Sequence, residues 1–368
     1  MLKQKGLQYW LPYYLMNKLR LKEKSVAGQP MHIFLCVVDH YEPFNGNVDY
    51  KTALGRVQEW RKKYPAFADQ HRDFDGKPIQ HTWFYPPHLD HSFLSFLAEL
   101  CLAGYGDIEM HLHHNHMDPF PDTSQTLRDK ILRCIDDYGK FGIFTQPNGH
   151  PRFAFIHGDW SLDNSGGRHL CGVNDELTIL RECGCFADFT FPSLNVSQPA
   201  MINSIYYAFD DPDKPKSYNR GIPVKIALDE LEGALLMIQG ILGIRYDDRK
   251  KIRFSIETSD LDSSDPPTIA RVDYLVKNAL TVKGKPGWKF IKLHTHGAPE
   301  IRWSVNFGDD AHRAFDYLEK TYNDGEKYIL HYVTAREMYN IIKSAESGQN
   351  ISPSKSRDYL VSPYVYSP

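Results

Sequence analysis

Short apolar runs alternate with longer amphipathic stretches along most of this chain. The first run, His32–Val38, is continuous, is too short for a helix, and stops at Asp39 and His40. A polar helix is predicted over Lys51–Tyr64, followed by a strand over Gln80–Tyr85 that ends at two prolines. This order of strand, helix and strand is typical of βα units around a parallel sheet.

The same alternation predicts the remaining elements. A helix is expected over Ser92–Ala103, whose apolar side chains share one face, and a third strand over Asp107–His113. Further strands are expected over Arg152–Ile156, Phe186–Phe189, Lys251–Ile256 and Lys289–His294, and further helices around 124–137, 174–183, 224–242, 267–280 and 309–323. The pattern closes with a strand and a helix over Leu330–Ser347, where Thr334 and Glu337 form a predicted capping box.

The chain shows no internal repeat and no Gly/Ser-rich linker. We therefore predict one α/β domain over residues 30–347. Residues 1–29 form a basic and aromatic N-terminal segment, and residues 348–368 are predicted to be an irregular C-terminal tail.

Composition places the chain among ordinary globular proteins. Its 368 residues are 42% hydrophobic and 24% charged, which excludes a disordered, collagenous or disulfide-stapled protein. The six cysteines have no framework spacing, and the pair Cys183 and Cys185 lacks a second pair, so buried thiols are expected. The net charge of −3 supplies no general attraction for nucleic acid.

The N-terminal segment bears on where the protein works. It lacks the apolar run of a signal peptide, and no stretch of about 18 apolar residues occurs in the chain. Residues 7–24 mix aromatic and basic side chains in a way that suits a membrane interface. A helix that packs its aromatic side onto the domain is the favoured alternative, because Pro12 interrupts the pattern. We expect a cytoplasmic protein and leave peripheral membrane contact open.

Histidine is the residue that departs from an average composition. The chain has 17, and seven of them lie between residues 81 and 116. The predicted elements divide this group: His81, His88 and His91 belong to the second βα unit, whereas the histidines of His111–His116 lie at the end of the third strand. The second group is the one that needs a functional explanation.

Catalytic and ligand-binding groups of parallel α/β folds gather at the carboxyl ends of the strands. Four predicted strand ends carry histidine with other polar residues. They are Asp39-His40, His111–His116, His157–Trp160 and His294–His296. Neutral imidazole binds zinc and several other divalent metals, so these ends predict a metal site.

Strand geometry decides which of these side chains share a face. Residues i and i+2 of a strand point the same way, so His111 matches His113 and His294 matches His296. His116 joins His113 if the chain turns helically after the strand.

Asp39 and His40 follow the first strand directly. An acidic residue in that place is often the N-cap of a helix, but residues 41–46 do not begin one. We therefore expect both side chains to project into one site, where a carboxylate can act as the base for a water held at a metal.

With these motifs the chain resembles the polysaccharide deacetylase superfamily, as a divergent member of an uncharacterised bacterial branch. The matching stretches are Asp39-His40, His81–Tyr85, Glu109–His113 and Leu293–His296, with longer similar blocks at 155–165, 172–176, 184–193 and 331–337. The resemblance covers about residues 30–345. It implies an α/β fold of a particular kind, a distorted (β/α) barrel.

The resemblance also implies roles for individual residues. Asp39 corresponds to the general base and His296 to the general acid, while His40 and His113 correspond to metal ligands. The family's second ligand histidine falls four residues after the first, where this chain has Met117. The implied cofactor is a divalent metal, with zinc as the expected ion.

Because Met117 has no ring nitrogen to bind the metal, another histidine has to supply the second ligand. The candidates are His111, His114 and His116. We favour His111 because it shares the strand face of His113, with His116 next. The residues expected to line the sugar site are His157, Asp159, Trp160, Asn164, Asn174, Asp175 and His294.

The implied activity is metal-dependent hydrolysis of an acetyl or other acyl group on an amino-sugar polysaccharide or its precursor, so the expected partner is a carbohydrate. Another metal-dependent hydrolase is one alternative, although the barrels that use His-x-His carry it on the first strand rather than the third. A carbohydrate-binding or assembly protein without catalysis is the other, because His40 and Met117 depart from the family pattern.

Overall fold

The computed structural model describes residues 6–19, 28–247 and 254–368. The strands are β1 (Met31–His40), β2 (His81–Tyr85), β3 (Gly106–Leu112), β4 (Phe153–His157), β5 (Cys185–Asp188), β6 (Ile205–Phe209), β7 (Ile222–Pro223), β8 (Ala234–Ile238), β9 (Gly243–Tyr246), β10 (Phe254–Glu257), β11 (Trp288–Thr295) and β12 (Tyr328–Tyr332). The α-helices are α1 (Leu7–Leu19), α2 (Tyr50–Ala68), α3 (Ser92–Leu102), α4 (Ser124–Gly139), α5 (Glu176–Glu182), α6 (Ile269–Asn278), α7 (Trp303–Phe307), α8 (Asp309–Tyr322), α9 (Ala335–Glu346) and α10 (Pro353–Ser356).

Ten of these strands form one mainly parallel sheet in the order β11-β1-β2-β3-β4-β5-β8-β6-β7, with β12 paired to β1. β6 runs antiparallel to its neighbours β8 and β7, and β9 with β10 forms a separate antiparallel pair. The predicted α/β class with a parallel sheet is therefore confirmed.

β1 is the central strand because three parallel strands pair with it. β11 follows it from His32 to Asp39, β12 pairs with residues 31–35, and β2 pairs with residues 37–40. A strand has only two edges, so β12 and β2 share one edge in succession. β1 is buried between them and ends at His40 beside Phe84.

The sheet is strongly curved. β11 and β5 are five strands apart in the sheet, which would be about 24 Å in a flat sheet with about 4.8 Å between strands. Lys292 on β11 nevertheless donates to the main-chain oxygens of Phe189 and Phe191 just after β5, at 2.6 Å each. A lysine side chain is far shorter than 24 Å, so the two strands face each other across the interior.

Most predicted elements occur close to their expected positions. The capping box of α9 is confirmed, because the side chains of Thr334 and Glu337 each accept a hydrogen bond from the other residue's main-chain N–H. The predicted strand over Lys251–Ile256 corresponds to β10, which begins at Phe254; residues 251–253 lie outside the described ranges.

The predicted helix over 224–242 is wrong. The segment contains β8, which pairs with β5 and with β6. Its five apolar residues stand between Gly233, in the left-handed region at φ +81°, and Gly240. A buried apolar run this short has no helical or strand period of its own, so sheet partners distant in sequence decide its conformation.

The N-terminal segment packs onto the domain where the structure describes it. Trp10 and Tyr14 on α1 are buried against Ile202 and Leu242. Arg20, Lys22 and Lys24, which belong to the expected membrane-contact stretch, lie outside the described residues. None of the described helices combines the length and hydropathy needed to cross a bilayer.

The C-terminal segment, expected to be an irregular tail, has the single short helix α10 and packs into the domain. Arg357 is buried and donates to Asp73, Glu337 and the carbonyl of Tyr332, at 2.9, 2.9 and 2.7 Å. Tyr364 is also buried and donates to Glu109 on β3. Residues 348–368 therefore contribute to the core.

We expect Arg357→Met to destabilise the protein by about 3–5 kcal/mol, because it leaves the buried Asp73 and Glu337 carboxylates without their shared cation. The free energy of unfolding, measured by chemical denaturation, tests this. Lys355→Met is the matched control, since Lys355 is exposed, and we expect a change within about 0.5 kcal/mol. Equal effects of the two substitutions would contradict an integral role for the C-terminal segment.

Candidate metal centre

Three donor atoms converge where β1 and β3 end. Nε2 of His113 lies 2.9 Å from Oε1 of Glu42 and 3.1 Å from Nε2 of His111, and the Glu42 oxygen is 3.7 Å from Nε2 of His111. Four ligands placed tetrahedrally at about 2.0–2.1 Å from a zinc ion are about 3.3 Å from one another. The three atoms thus have the mutual spacing of metal ligands.

The second nitrogen of each histidine ring shows how the ring is oriented. Nδ1 of His111 donates to the carbonyl of Ile156 on β4, which leaves a lone pair on Nε2 facing Glu42. Nδ1 of His113 lies 3.4 Å from the Asp159 carboxylate. A partner on the far nitrogen is the usual way in which proteins orient a metal-binding imidazole.

A glycine makes this arrangement possible. A Cβ atom at Gly158 would lie 2.4 Å from Nδ1 of His113, so a larger residue would collide with the ring. The turn after β4 can therefore bring Asp159 against His113 only because residue 158 has no side chain.

Three further histidines surround this centre. The His40 ring is buried 4.9 Å from the ring of His111 and stacks on that of His296 at 4.6 Å, and His294 lies 6.2 Å away. His40, His111, His113, His294 and His296 are thus brought together, as the sequence predicted for strand ends. The centre is reached from solvent, because Glu42 and His113 expose 18% and 12% of their side chains.

Charge and burial act together on these groups. Burial, reinforced by His296, His111 and His294, lowers the pKa of His40 well below its usual range. Burial, with Lys292 and His296, does the same to the pKa of His294. Burial opposes protonation of His113 as well, but contacts with Asp159 and Glu42 outweigh it and raise its pKa to about 9. The carboxylates of Glu42 and Asp159 thus attract positive charge to this centre, whether a proton or a metal ion carries it.

The structure separates Asp39 from His40, although both were expected to project into one site. Asp39 is fully buried, accepts a hydrogen bond from Nε2 of His81 at 3.0 Å, and accepts another from the N–H of Gly297 at 2.7 Å. These contacts lie beside Trp60 of α2, away from the ring of His40. Successive residues of a strand point to opposite faces, which is why the two side chains diverge.

His116 and Met117 follow β3 in a short 3-10 turn, His114–His116. The turn stacks the His116 ring on that of His113 at 5.0 Å, but Nδ1 of His116 contacts Nε2 of His88 at 3.2 Å. His116 is exposed and Met117 packs against the apolar core. The third donor atom beside His111 and His113 is therefore supplied by Glu42 and not by His116 or Met117.

Of the seven residues expected to line a sugar site, His294 lies beside His40, and the other six fall in three places. Asp159 and Trp160 lie at the solvent-facing side of the centre formed by Glu42, His111 and His113, which we call its mouth. The Trp160 ring lies 6.0 Å from that of His40 there. Asn164 and Asn174 hydrogen-bond to each other at 2.8 Å, next to Asp175 at the start of α5. His157 is fully buried in a separate cluster.

That separate cluster consists of His114, His157, Cys171 and Glu176, which could hold a metal ion. All four residues are fully buried, and their ligand atoms lie within 4.8 Å of one another. We call it the buried cluster. It lies next to the centre formed by Glu42, His111 and His113, because His113 and His114 are consecutive.

Glu42, Cys171 and Glu176 were not among the site residues predicted from the sequence. Glu42 had a usable signal, since it lies two residues beyond His40 at a strand end that was already suspected. Cys171 and Glu176 had none, because they come from a loop and from the first turn of α5, and only the fold brings them to His114.

We expect Glu42→Gln and His111→Ala each to lower the metal content by one ion per chain, because each removes one of three converging donor atoms. Elemental mass spectrometry of protein purified without chelators measures this. His116→Ala is the matched control and should retain the ion. Loss of the ion from the control alone would show that His116, and not Glu42, completes the ligand set.

Comparisons with known proteins give similarities among solved structures. No family model matches the chain, and no curated protein matches it. Among solved structures, the chain is similar to the crystal structure of a "putative glycoside hydrolase/deacetylase" from Parabacteroides distasonis, with a TM-score of 0.41 and 9% sequence identity. The match covers 83% of this chain and 69% of that chain.

Proposed function

We propose that this protein is a metal-dependent hydrolase that removes an acetyl or other acyl group from an amino sugar. The observation that carries the proposal is the convergence of Glu42, His111 and His113 at the carboxyl ends of the strands, with further histidines around them. The sequence resemblance described above supplies the class of reaction. The distorted (β/α) barrel that it implies is compatible with a curved parallel sheet.

The donor set fits a divalent ion. Nε2 of His111 has a free lone pair, because its Nδ1 donates to Ile156, and it faces the Glu42 oxygen at 3.7 Å, which is a contact between two electron donors that a cation stabilises. Two histidines and a carboxylate with an open position are found in catalytic zinc sites and in iron sites. Glu42, His111 and His113 would hold the ion, and elemental analysis identifies it.

A bound divalent ion at this place supplies an activated water and polarises the acyl carbonyl. The protein has to add a group that takes a proton from the attacking water and passes it to the leaving amine. His296 is half-buried at the end of β11, stacked on His40 and open to the mouth, so we assign this role to it. His40 supports the His296 ring and excludes water from its inner side.

Asp39 acts through the backbone in this proposal. Its two oxygens are used by His81 and by the N–H of Gly297, the residue that follows His296. The carboxylate therefore holds the turn that carries the proton donor, and we assign it a positioning role. The role implied for Asp39 by the sequence resemblance was that of the general base.

The substrate side of the proposal rests on Trp160. Its indole lies 6.1 Å from the ring of His296 at the half-exposed mouth. An aromatic face suits the apolar face of a sugar ring. Asp159 is exposed beside it and is available to hydroxyl groups of the substrate as well as to His113.

We expect the purified protein to release acetate from N-acetylated amino-sugar oligomers, and a chelator to abolish this until metal is restored. His296→Ala should lower kcat by about 10²–10⁴-fold, the usual effect of removing a general acid. The exposed His150→Ala is the matched control and should keep full activity. If the protein binds metal and cleaves phosphate esters but not N-acetyl groups, another type of metal-dependent hydrolase is favoured. If it binds the oligomers but cleaves none of them, a carbohydrate-binding protein is favoured.

Asp39→Asn separates the two roles considered for this residue. A positioning carboxylate predicts a lower kcat with an unchanged metal content and an unchanged acidic limb in the pH profile of kcat/KM. A general base predicts that the acidic limb disappears, because that limb reports its titration. Steady-state kinetics between pH 5 and 9, about the stable range of most proteins, measures the difference.

A further inference from the structure

We propose that the buried cluster, His114, His157, Cys171 and Glu176, binds a second divalent ion whose role is structural, and that zinc suits it best. This site is distinct from the centre formed by Glu42, His111 and His113. Its ion would fasten the loop between β4 and α5 to the end of β3. The proposal does not depend on the protein being a hydrolase.

The geometry within the cluster supports an ion. Nε2 of His114 lies 3.0 Å from Oε1 of Glu176, and the other Glu176 oxygen lies 3.6 Å from Nε2 of His157 and 3.6 Å from Sγ of Cys171. Zinc bonds of about 2.0–2.1 Å to nitrogen and oxygen and about 2.3 Å to sulfur require ligand spacings of this size. One imidazole, a second imidazole, a thiolate and a carboxylate make a four-ligand set.

His157 supplies an independent observation. Its Nδ1 donates to the carbonyl of Gly158, which leaves Nε2 as an unprotonated acceptor. This Nε2 is fully buried, has no hydrogen-bond partner among the described residues, and faces a carboxylate oxygen that is also an acceptor. Two buried acceptors 3.6 Å apart are unfavourable unless a cation lies between them.

The far side of His114 also matches a metal ligand. Oδ2 of Asp122 lies 2.9 Å from Nδ1 of His114, and Lys130 donates to Asp122 at 2.8–2.9 Å. A carboxylate behind a ligand imidazole is the usual outer partner of a zinc site. Asp122 and Lys130 offset each other's charge, so a Cys171 thiolate and Glu176 remain to offset a doubly charged ion.

The complete enclosure of the cluster indicates a structural ion. Structural zinc sites are closed by four protein ligands, whereas catalytic sites keep one position open. All four residues here are fully buried, while the neighbouring centre exposes Glu42 and His113. Substrate has no access to the buried cluster.

An ion at this site would also stabilise an unusual loop. Asp159, Trp160, Asp163 and Asn164 all adopt positive φ between 51° and 55°. For a bulky residue such as Trp160 this conformation costs about 1–3 kcal/mol. The buried cluster ties both ends of this loop, at His157 and at Cys171 and Glu176, to β3. Asp159 and Trp160 are thereby held at the mouth of the neighbouring centre.

An ion-pair network without metal is the competing explanation. A protonated His114 between Glu176 and Asp122 accounts for the contacts of one ring. In that network the Cys171 thiol donates to the Val173 carbonyl and to Glu176, at 3.6 Å each, but the Nε2 atom of His157 keeps no partner among the described residues.

Metal analysis of the full-length protein tests the proposal, with Zn²⁺ or Co²⁺ as the probe. We expect two ions per chain, and we expect the Co²⁺ protein to show the near-ultraviolet absorption of a cobalt–thiolate bond. Cys171→Ser should lose that absorption and one ion. Cys134→Ser is the matched control, because Cys134 is equally buried on α4 away from the cluster, and it should keep both.

His111→Ala keeps the test valid if Cys171→Ser does not fold. That variant should lose the ion of the exposed centre, keep one ion, and show a zinc–sulfur distance of about 2.3 Å in X-ray absorption spectra. Removing the remaining ion with a chelator should lower Tm. If the protein binds one ion per chain and shows no zinc–sulfur or cobalt–thiolate signal, the structural site is overturned and the proposed hydrolase is unaffected. If the protein binds only one ion and that ion is bound to sulfur, the structural site is supported and the metal centre of the proposed hydrolase is overturned.

Discussion

Parallel pairing on both edges of β1 is the constraint on which the rest of this structure depends. β11 on one edge and β12 followed by β2 on the other bury the strand and bring its carboxyl end beside those of its neighbours. Curvature then brings distant strands together, as the contact of Lys292 with the segment after β5 shows. Histidines separated by more than 250 residues, such as His40 and His296, stack on each other as a result.

The end of β3 is the place where two sites meet. His111 and His113 belong to the centre that they form with Glu42. The 3-10 turn that begins at His114 directs the His114 ring into the buried cluster. β4 contributes to both, because Ile156 orients His111 while His157 belongs to the buried cluster. A change in the register of β3 and β4 would therefore disturb both groups of ligands together.

Burial and contacts with acidic side chains act in opposite directions on the histidines of both groups. Imidazoles removed from water lose protonation, as is seen in the lowered pKa of His40 and in that of His157, which falls to about 4. Carboxylates in contact with a ring act in the opposite direction, as at His113. The outer partners Asp159 and Asp122 thus orient their rings and also set their charge.

The sequence by itself determined the α/β class, most elements and the set of strand ends that carry histidine, because hydrophobic period and turn residues act over short distances. Tertiary structure decided the rest. β8 is a strand because its partners are distant, and Asp39 faces away from His40 because the pleat alternates. Cys171 and Glu176 joined the histidines only through the fold, since a ligand set depends on which side chains meet in space and these two come from a loop and from α5.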